Sequence, residues 1–518
     1  MRDMWGRKAI LLFALVNATL FCALQPLWEG FDEPHHYGYV EALWQTKRPP
    51  VLGRTLLPTD VFASFPLAPM SYGVHQFIPE SVTYAEWFAL PQAERVRRRA
   101  ALEALRPDAH GSPRTDYEAH QTPLVYLMLA PIDWAMSSLA ITTRVLVLRL
   151  LVAWSTVLLL FYGTASLCRT LDIGAAYANA VLFTAFCCEM FYATTAHVAN
   201  DGLAVGIGAC FLASLTAVVE RPDRGRFLRM AGWLAAGLLA KAYFLAFVAL
   251  AAGVTGMLLW RRRTDARTAI LCAALVAVAG GPWYVRNLAL YGNVAGTHEA
   301  FDGIGLREAL AEAPRIDWPA AAGFLARASL WMGNNSFGTF SRGTLNLMLA
   351  LLAIAVAAWV WRRQQIQPAE WIVVATIVIF SAAVAYATCA EVADRHETVP
   401  AASPWYTQIL LAPVLSLAYL GMMRWRRAGG VLAAVTIALW GWVLIATWTV
   451  KLFPMYSGGG SAPMRMRDVW NWYAHGVHSG VLSVTAMAPA GWLYVGMAVS
   501  IGLAVGLGAY VIRGVNRG

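Results

Sequence analysis

Apolar runs about twenty residues long recur from one end of this 518-residue chain to the other, and short arginine-rich clusters separate them. Coiled as a helix, a run of about twenty residues spans the hydrocarbon of a bilayer. Composition agrees. Hydrophobic residues make up 58% and charged residues 14%, where soluble domains carry about 25% charged residues. The sequence is therefore read as an all-α polytopic membrane protein. Intrinsic disorder, a disulfide scaffold and a soluble nucleic-acid binder are excluded. The formal net charge of +10 calls for a topological explanation. Cys22, Cys168, Cys187, Cys188, Cys210, Cys272 and Cys389 lie in or beside apolar runs without metal-ligand spacing, and read as small buried hydrophobes.

Basic residues collect on the inner side of short loops. Placing Arg2 to Lys8, Arg169, Arg221 to Arg229, Arg261 to Arg267, Arg362 and Arg363, Arg424 to Arg427, and Arg513 and Arg517 inside fixes the parity of the crossings between them. The first helix, Ile10 to Leu24, then runs outward as an uncleaved anchor. The apolar segment 122–140 contains Pro131 and Asp133 and is read as an interfacial helix. The stretch from Arg226 to Trp260 is basic at both ends and too long for one span. It predicts two short helices meeting near Lys241 on the outer face. The expectation is about twelve crossings in an inner (plasma) membrane, with both termini inside. Juxtamembrane helices fill a first outer loop, 25–144. Further outer loops are expected at 287–343, 389–403 and 451–490.

Five motifs carry candidate chemistry. Phe31-Asp32-Glu33-Pro34-His35-His36 puts two carboxylates and two imidazoles at the mouth of the first helix, where they cost desolvation unless used or solvated. An ordinary polar helix exit is the bland alternative. His120-Gln121-Thr122-Pro123-Leu124-Val125-Tyr126 marks the return to the membrane, and Thr122 with Pro123 also suits a plain helix start. Asn200-Asp201 begins a helix, where negative charge is favourable in any case. Lys241 is a lone cation in an apolar run, either snorkelling or functional. Gly281-Pro282-Trp283-Tyr284-Val285-Arg286-Asn287 ends a span. Its aromatics fit a membrane belt, whereas Arg286 and Asn287 suit an anion.

In order and spacing, these motifs resemble the glycosyltransferase C (GT-C) superfamily. It includes protein O-mannosyltransferases and the aminoarabinose transferase of lipid A. The resemblance covers about 25–300 by motif and the remainder by architecture. It implies a GT-C-like fold with a catalytic transmembrane module over 1–300 and a variable module over 301–518. It also implies a sugar donor on a polyprenyl phosphate, inversion at the anomeric carbon, and a reaction centre facing outside. Asp32 would be the general base, with Glu33 supporting it and Asp201 or His120 orienting the acceptor or the base. Lys241, Arg286 and Arg395 would hold the phosphate, with His35, His36, Asn287 and Tyr406 as further substrate contacts. Relatives carry an Arg-Tyr pair before a late span. Here Trp405 takes the place of that Arg in Pro404-Trp405-Tyr406, and Arg395 is the candidate replacement. No cofactor is required. Some relatives use Mg²⁺ or Mn²⁺, for which Asp32 and Asp201 would be the ligands. The acceptor is a lipid, polysaccharide or protein, and nucleic acid is not a partner. The alternative is a transporter or lipid-linked saccharide flippase. That class needs ionisable residues near the midplane and usually repeated halves, which this sequence does not display.

Overall fold

Among the described residues of the computed structural model, ten helices are long and apolar enough to cross a bilayer, and a bent pair makes an eleventh. The structure describes residues 2–108, 111–333, 339–361, 366–396, 403–459, 466–475 and 478–517. The basic pair Arg362 and Arg363, and residues 334–338, 397–402, 460–465 and 476–477 of the expected outer loops, lie outside them. The bent pair is Ala175–Ala185 with Glu189–Thr195, turned by 58°. The two-helix reading of 226–260 holds. Helix Arg224–Ala240 stops at Lys241, whose backbone is extended (φ −157°, ψ 138°), and helix Leu245–Trp260 follows a single 3₁₀ turn. Arg224–Ala240 has 17 residues, about 25 Å of helix. It falls short of a full span, which is why eleven rather than about twelve helices qualify. The break leaves carbonyls without intrahelical partners. Tyr284 Oη donates to one of them, the Leu238 carbonyl, at 2.8 Å.

Residues 122–140 hold no helix long enough to cross a bilayer. Helix Leu124–Ala135 has 12 residues, about 18 Å, and packs on helix Glu33–Thr46 of the first loop. That loop holds the expected juxtamembrane helices, Glu33–Thr46, Thr59–Ser64, Tyr72–Phe77, Tyr84–Ala89 and Gln92–Ala104. Two short strand pairs, which sequence pattern did not announce, tie it together. Leu56–Pro58 runs antiparallel to Gly111–Thr115, and Pro69–Met70 parallel to Val82–Thr83. One hydrophobic core runs from Ile10 to Val515. All seven Cys are buried and unbridged.

Two arginines fasten the loop to the first turns of helix Ile141–Thr170. Arg149 is fully buried and spends all five N–H donors. Nε and Nη2 grip the two oxygens of Glu33, and the rest reach the carbonyls of Cys22 (3.2 Å), Gln25 (2.8 Å) and Pro26 (2.8 Å). The end of the first helix is capped from another span. Arg144, equally buried, meets Asp60 at 2.8 Å, Glu41 at 3.3 Å and Asp133 at 3.4 Å. Burial, and then the charge of Asp60, push the Glu41 carboxyl up.

Candidate active site

Asp32 stands where the chain leaves the first helix, in the left-handed region at φ +56°, ψ 14°. That conformation is uncommon outside glycine, although Asp tolerates it. Its backbone carbonyl accepts from the amides of His35 (3.0 Å) and His36 (3.2 Å). Its side chain makes no capping bond to helix Glu33–Thr46. The carboxylate instead accepts the hydroxyl hydrogen of Tyr117. Gly30, two residues earlier, lies so close to His197 that a side chain there would collide with it.

Glu33 points the other way. Both of its oxygens face Arg149, and Oε1 also accepts from the Val198 amide at 2.9 Å. It is fully buried and has no free oxygen to offer a substrate. His35 Nδ1 lies 3.2 Å from Asp116, and its ring packs on Tyr117 at 4.0 Å. His36 Nδ1 lies 2.7 Å from the Tyr126 hydroxyl.

The re-entry motif, the Asn200-Asp201 pair and Lys241 form one hydrogen-bonded string. Lys241 Nζ donates to Asn200 Oδ1 and Asp201 Oδ2, both at 2.9 Å. Asn200 Nδ2 donates to Gln121 Oε1 at 2.9 Å, and Gln121 Nε2 to Glu118 Oε2 at 2.6 Å. The polarity is forced, because an ammonium can only donate. Asp201 Oδ1 is buried without a partner among the described residues. The string ends on Glu118, which is buried beside Asp32. Burial first, and then the negative charge of Asp32, push its carboxyl up to about 8. Burial and the neighbouring His298 hold the His120 imidazole down at about 3. His120 Nδ1 donates to the Tyr117 carbonyl at 3.0 Å, and His298 Nε2 donates to the same oxygen at 2.8 Å. Two imidazoles therefore hold the backbone of the residue that holds Asp32.

Tyr406 caps the cation, with its ring 5.3 Å from Lys241 Nζ. Trp405 stacks on Phe31 at 4.5 Å, one residue from Asp32. Arg286 donates to the Pro50 carbonyl at 2.6 Å and lies over Trp283, while its buried Nη1 has no partner. Asn287 turns away to hold the following loop, donating to the carbonyls of Val294 (3.4 Å) and Ala295 (3.3 Å). Arg395 is half exposed and pairs with Glu391 at 3.3 Å. No contact joins it to the string among the described residues. An apolar cavity of about 440 Å³ is lined, in this segment, from the residue after Tyr406 onward. Thr407 and Gln408 line it with Trp318, Leu349, Val384 and Trp440.

Among the described residues, no group of three or more His, Cys, Asp and Glu side chains is arranged to hold a metal ion. Asp32 gives an oxygen to Tyr117, and Asp201 gives one to the Lys241 ammonium. The other Asp201 oxygen, Oδ1, has no partner among the described residues.

Sequence reasoning passed over Tyr117, Glu118, Arg144 and Arg149, and named Gln121 only within its motif. An arginine at 149, inside an apolar run, is a signal in itself, because a charge there demands a partner.

No protein-family model matches the chain, and no curated protein matches it. The fold is similar to two solved structures of ArnT from Cupriavidus metallidurans. The apo state has a TM-score of 0.41 at 15% identity over 87% of this chain and 75% of that one. The form bound to undecaprenyl phosphate has a TM-score of 0.40 at 15% identity over 86% and 75%.

Proposed function

We propose that this chain is a membrane glycosyltransferase that moves a sugar from a polyprenyl-phosphate donor to an acceptor at the outer face of the inner membrane, with inversion and with Asp32 as general base. The observation that carries the reading is a carboxylate held by Tyr117 that makes no helix cap, set with a buried lysine held between Asn200 and Asp201 against the same Glu118. Asp32 and Lys241 both act on Glu118, which lies between their two networks. The cavity opens one residue past the tyrosine that covers Lys241.

Asp32 takes the proton of the acceptor hydroxyl or amide, oriented by the Tyr117 hydrogen bond. The acceptor attacks the anomeric carbon from the side opposite the lipid phosphate, and the phosphate leaves with inversion. Charge developing on that phosphate falls to Lys241, with Arg286 offering its open Nη1. The polyprenyl chain occupies the apolar cavity. Glu33, fully engaged by Arg149, positions Asp32 rather than reacting. His35, His36 and Tyr406 shape the acceptor and phosphate sides. Arg395, remote from the string, serves at most at the donor's edge.

The test is transfer of labelled sugar from a polyprenyl-phosphate donor by purified protein in lipid. Transfer that disappears in Asp32→Asn supports the reading. Label that crosses the bilayer without being transferred would replace it with the lipid-linked saccharide flippase.

A further inference from the structure

Three helices carry the candidate site at one end and converge on a second, unassigned cavity at the other. Helix Ile141–Thr170 holds Arg149 near its start. Helix Asp201–Glu220 begins with Asp201, and helix Arg224–Ala240 runs into Lys241. Their far ends surround a polar cavity of about 460 Å³ lined by Arg169, Arg221, Arg226 and Arg229, with Asp172 and Glu220. From Arg149 to Arg169 is about 30 Å along the helix, one hydrocarbon thickness. The cavity thus lies at the opposite membrane surface from the site.

Its charge is not internally spent. Arg226 is committed in part, donating to the Arg221 carbonyl at 2.8 Å and pairing with Asp223 at 3.3 Å. Asp172 accepts from Gln367 at 3.2 Å. The guanidinium groups of Arg169, Arg221 and Arg229 have no partner among the described residues. Four guanidiniums against three carboxylates, Asp172, Glu220 and the Asp223 that pairs with Arg226, still leave a positive concavity at a membrane surface. Planar forks of this kind match phosphate oxygens.

We infer that this cavity is a phosphate-binding site, filled by the headgroup of an anionic phospholipid in the leaflet opposite the candidate active site. Arginines that only obey the inside-positive rule are spread around helix ends. Here they line one hollow between three helices, and the neighbouring apolar helix surfaces suit acyl chains. A free phosphate monoester shares the same recognition chemistry.

The experiment uses full-length protein in a neutral detergent. Thermal unfolding is followed against short-chain phosphatidylglycerol, against inorganic phosphate and against short-chain phosphatidylcholine. The expected result is saturable stabilisation by phosphatidylglycerol and none by phosphatidylcholine. Stabilisation by inorganic phosphate at similar concentration would retain the phosphate site and assign it to a soluble ligand. Each arginine removed near an anionic surface weakens binding by about 1 kcal/mol, about fivefold. Arg169→Gln with Arg229→Gln should therefore weaken phosphatidylglycerol binding about twentyfold or more, and Arg169→Lys with Arg229→Lys should recover part of it. Both positions are exposed, so folding is expected to survive. The proposal fails if neither anion stabilises the protein, or if the Gln variants respond like the wild type.

Discussion

Tyr117 donates its hydroxyl hydrogen to Asp32 from the far side of the first loop, 85 residues along the chain. The tyrosine is itself held at its carbonyl by His120 and His298. Burial and the adjacent Asp32 charge push the Tyr117 phenol up, so it stays a donor. In the proposed reaction it fixes the direction from which Asp32 meets the acceptor. Tyr117→Phe removes a charge-assisted bond worth about 1.5–3 kcal/mol. The expected result is a kcat about tenfold to a hundredfold lower, with the donor KM nearly kept. A lowered Tm with unchanged kcat would leave Tyr117 a purely structural role.

Asp32→Asn keeps shape and loses the base. Loss of general-base assistance costs about 10² to 10⁴ in rate. The Asp32 side chain does not cap its helix and the amide oxygen can still accept from Tyr117, so the thermal midpoint should fall by no more than the charge assistance of that one bond. Single-turnover rate, donor affinity and Tm measured together decide it. Near-normal turnover would remove Asp32 from the reaction.

Glu33 and Arg149 should behave as one structural unit. Removing one partner of a buried ion pair costs about 3–5 kcal/mol, because the other charge is left stranded. Arg149→Ala also strands the carbonyls of Gln25 and Pro26. It should lower the thermal midpoint sharply, and Arg149→Met with Glu33→Gln should recover part of the loss. Full additivity of the two single effects would show that the groups do not act together.

The membrane-protein class, the hairpin broken at Lys241 and the short helix within 122–140 were legible in the sequence. Each rests on local pattern: run length, charge at the ends, and a Pro and Asp where a lipid-facing helix would carry neither. The five motifs were legible as isolated peculiarities. Their joining was not, because the partners are distant in the chain. Gln121 meets Asn200 across 79 positions and Arg149 meets Glu33 across 116. Residue type also hid opposite roles in adjacent positions. By residue type Asp32 and Glu33 are alike, and the resemblance makes one the base and the other its support; the course of the backbone turns the first toward Tyr117 and the second into Arg149. Asn287 likewise looked like an anion ligand and serves the turn after its own helix.

Lys241 should control donor binding. It is a compact point charge held between Asn200 and Asp201 and covered by Tyr406. Lys241→Ala removes a charge-assisted contact worth about 1.5–3 kcal/mol, so donor affinity should fall about tenfold to a hundredfold. Lys241→Arg restores charge but not shape, because a planar fork does not occupy a site built for an ammonium. It should recover less than half of the lost binding energy. Donor titration on folded protein checks both, and wild-type affinity in Lys241→Ala would dismiss the phosphate role.

Glu118 gives the site a pH signature. Its carboxyl is pushed up to about 8 by burial and by Asp32, so the folded chain keeps a proton that the unfolded chain has released from about pH 4.5 upward. Stability contributed by that proton is complete at low pH and is lost as pH rises through the window toward 8. His120, held at about 3, acts in the opposite sense. The unfolded imidazole takes up a proton below about pH 6.5, so its contribution is lost as pH falls. Between pH 7 and 9 His120 is close to neutral in both states, so of these two groups it is Glu118 whose contribution changes. Glu118→Gln keeps an oxygen to accept from Gln121 and cannot ionise. Its thermal midpoint should therefore gain on the wild type between pH 7 and pH 9. Turnover at the alkaline end should gain as well if a neutral group beside Asp32 is what the reaction needs. Midpoints that fall in parallel for the two proteins would assign the alkaline loss to other groups and leave Glu118 only its bond to Gln121.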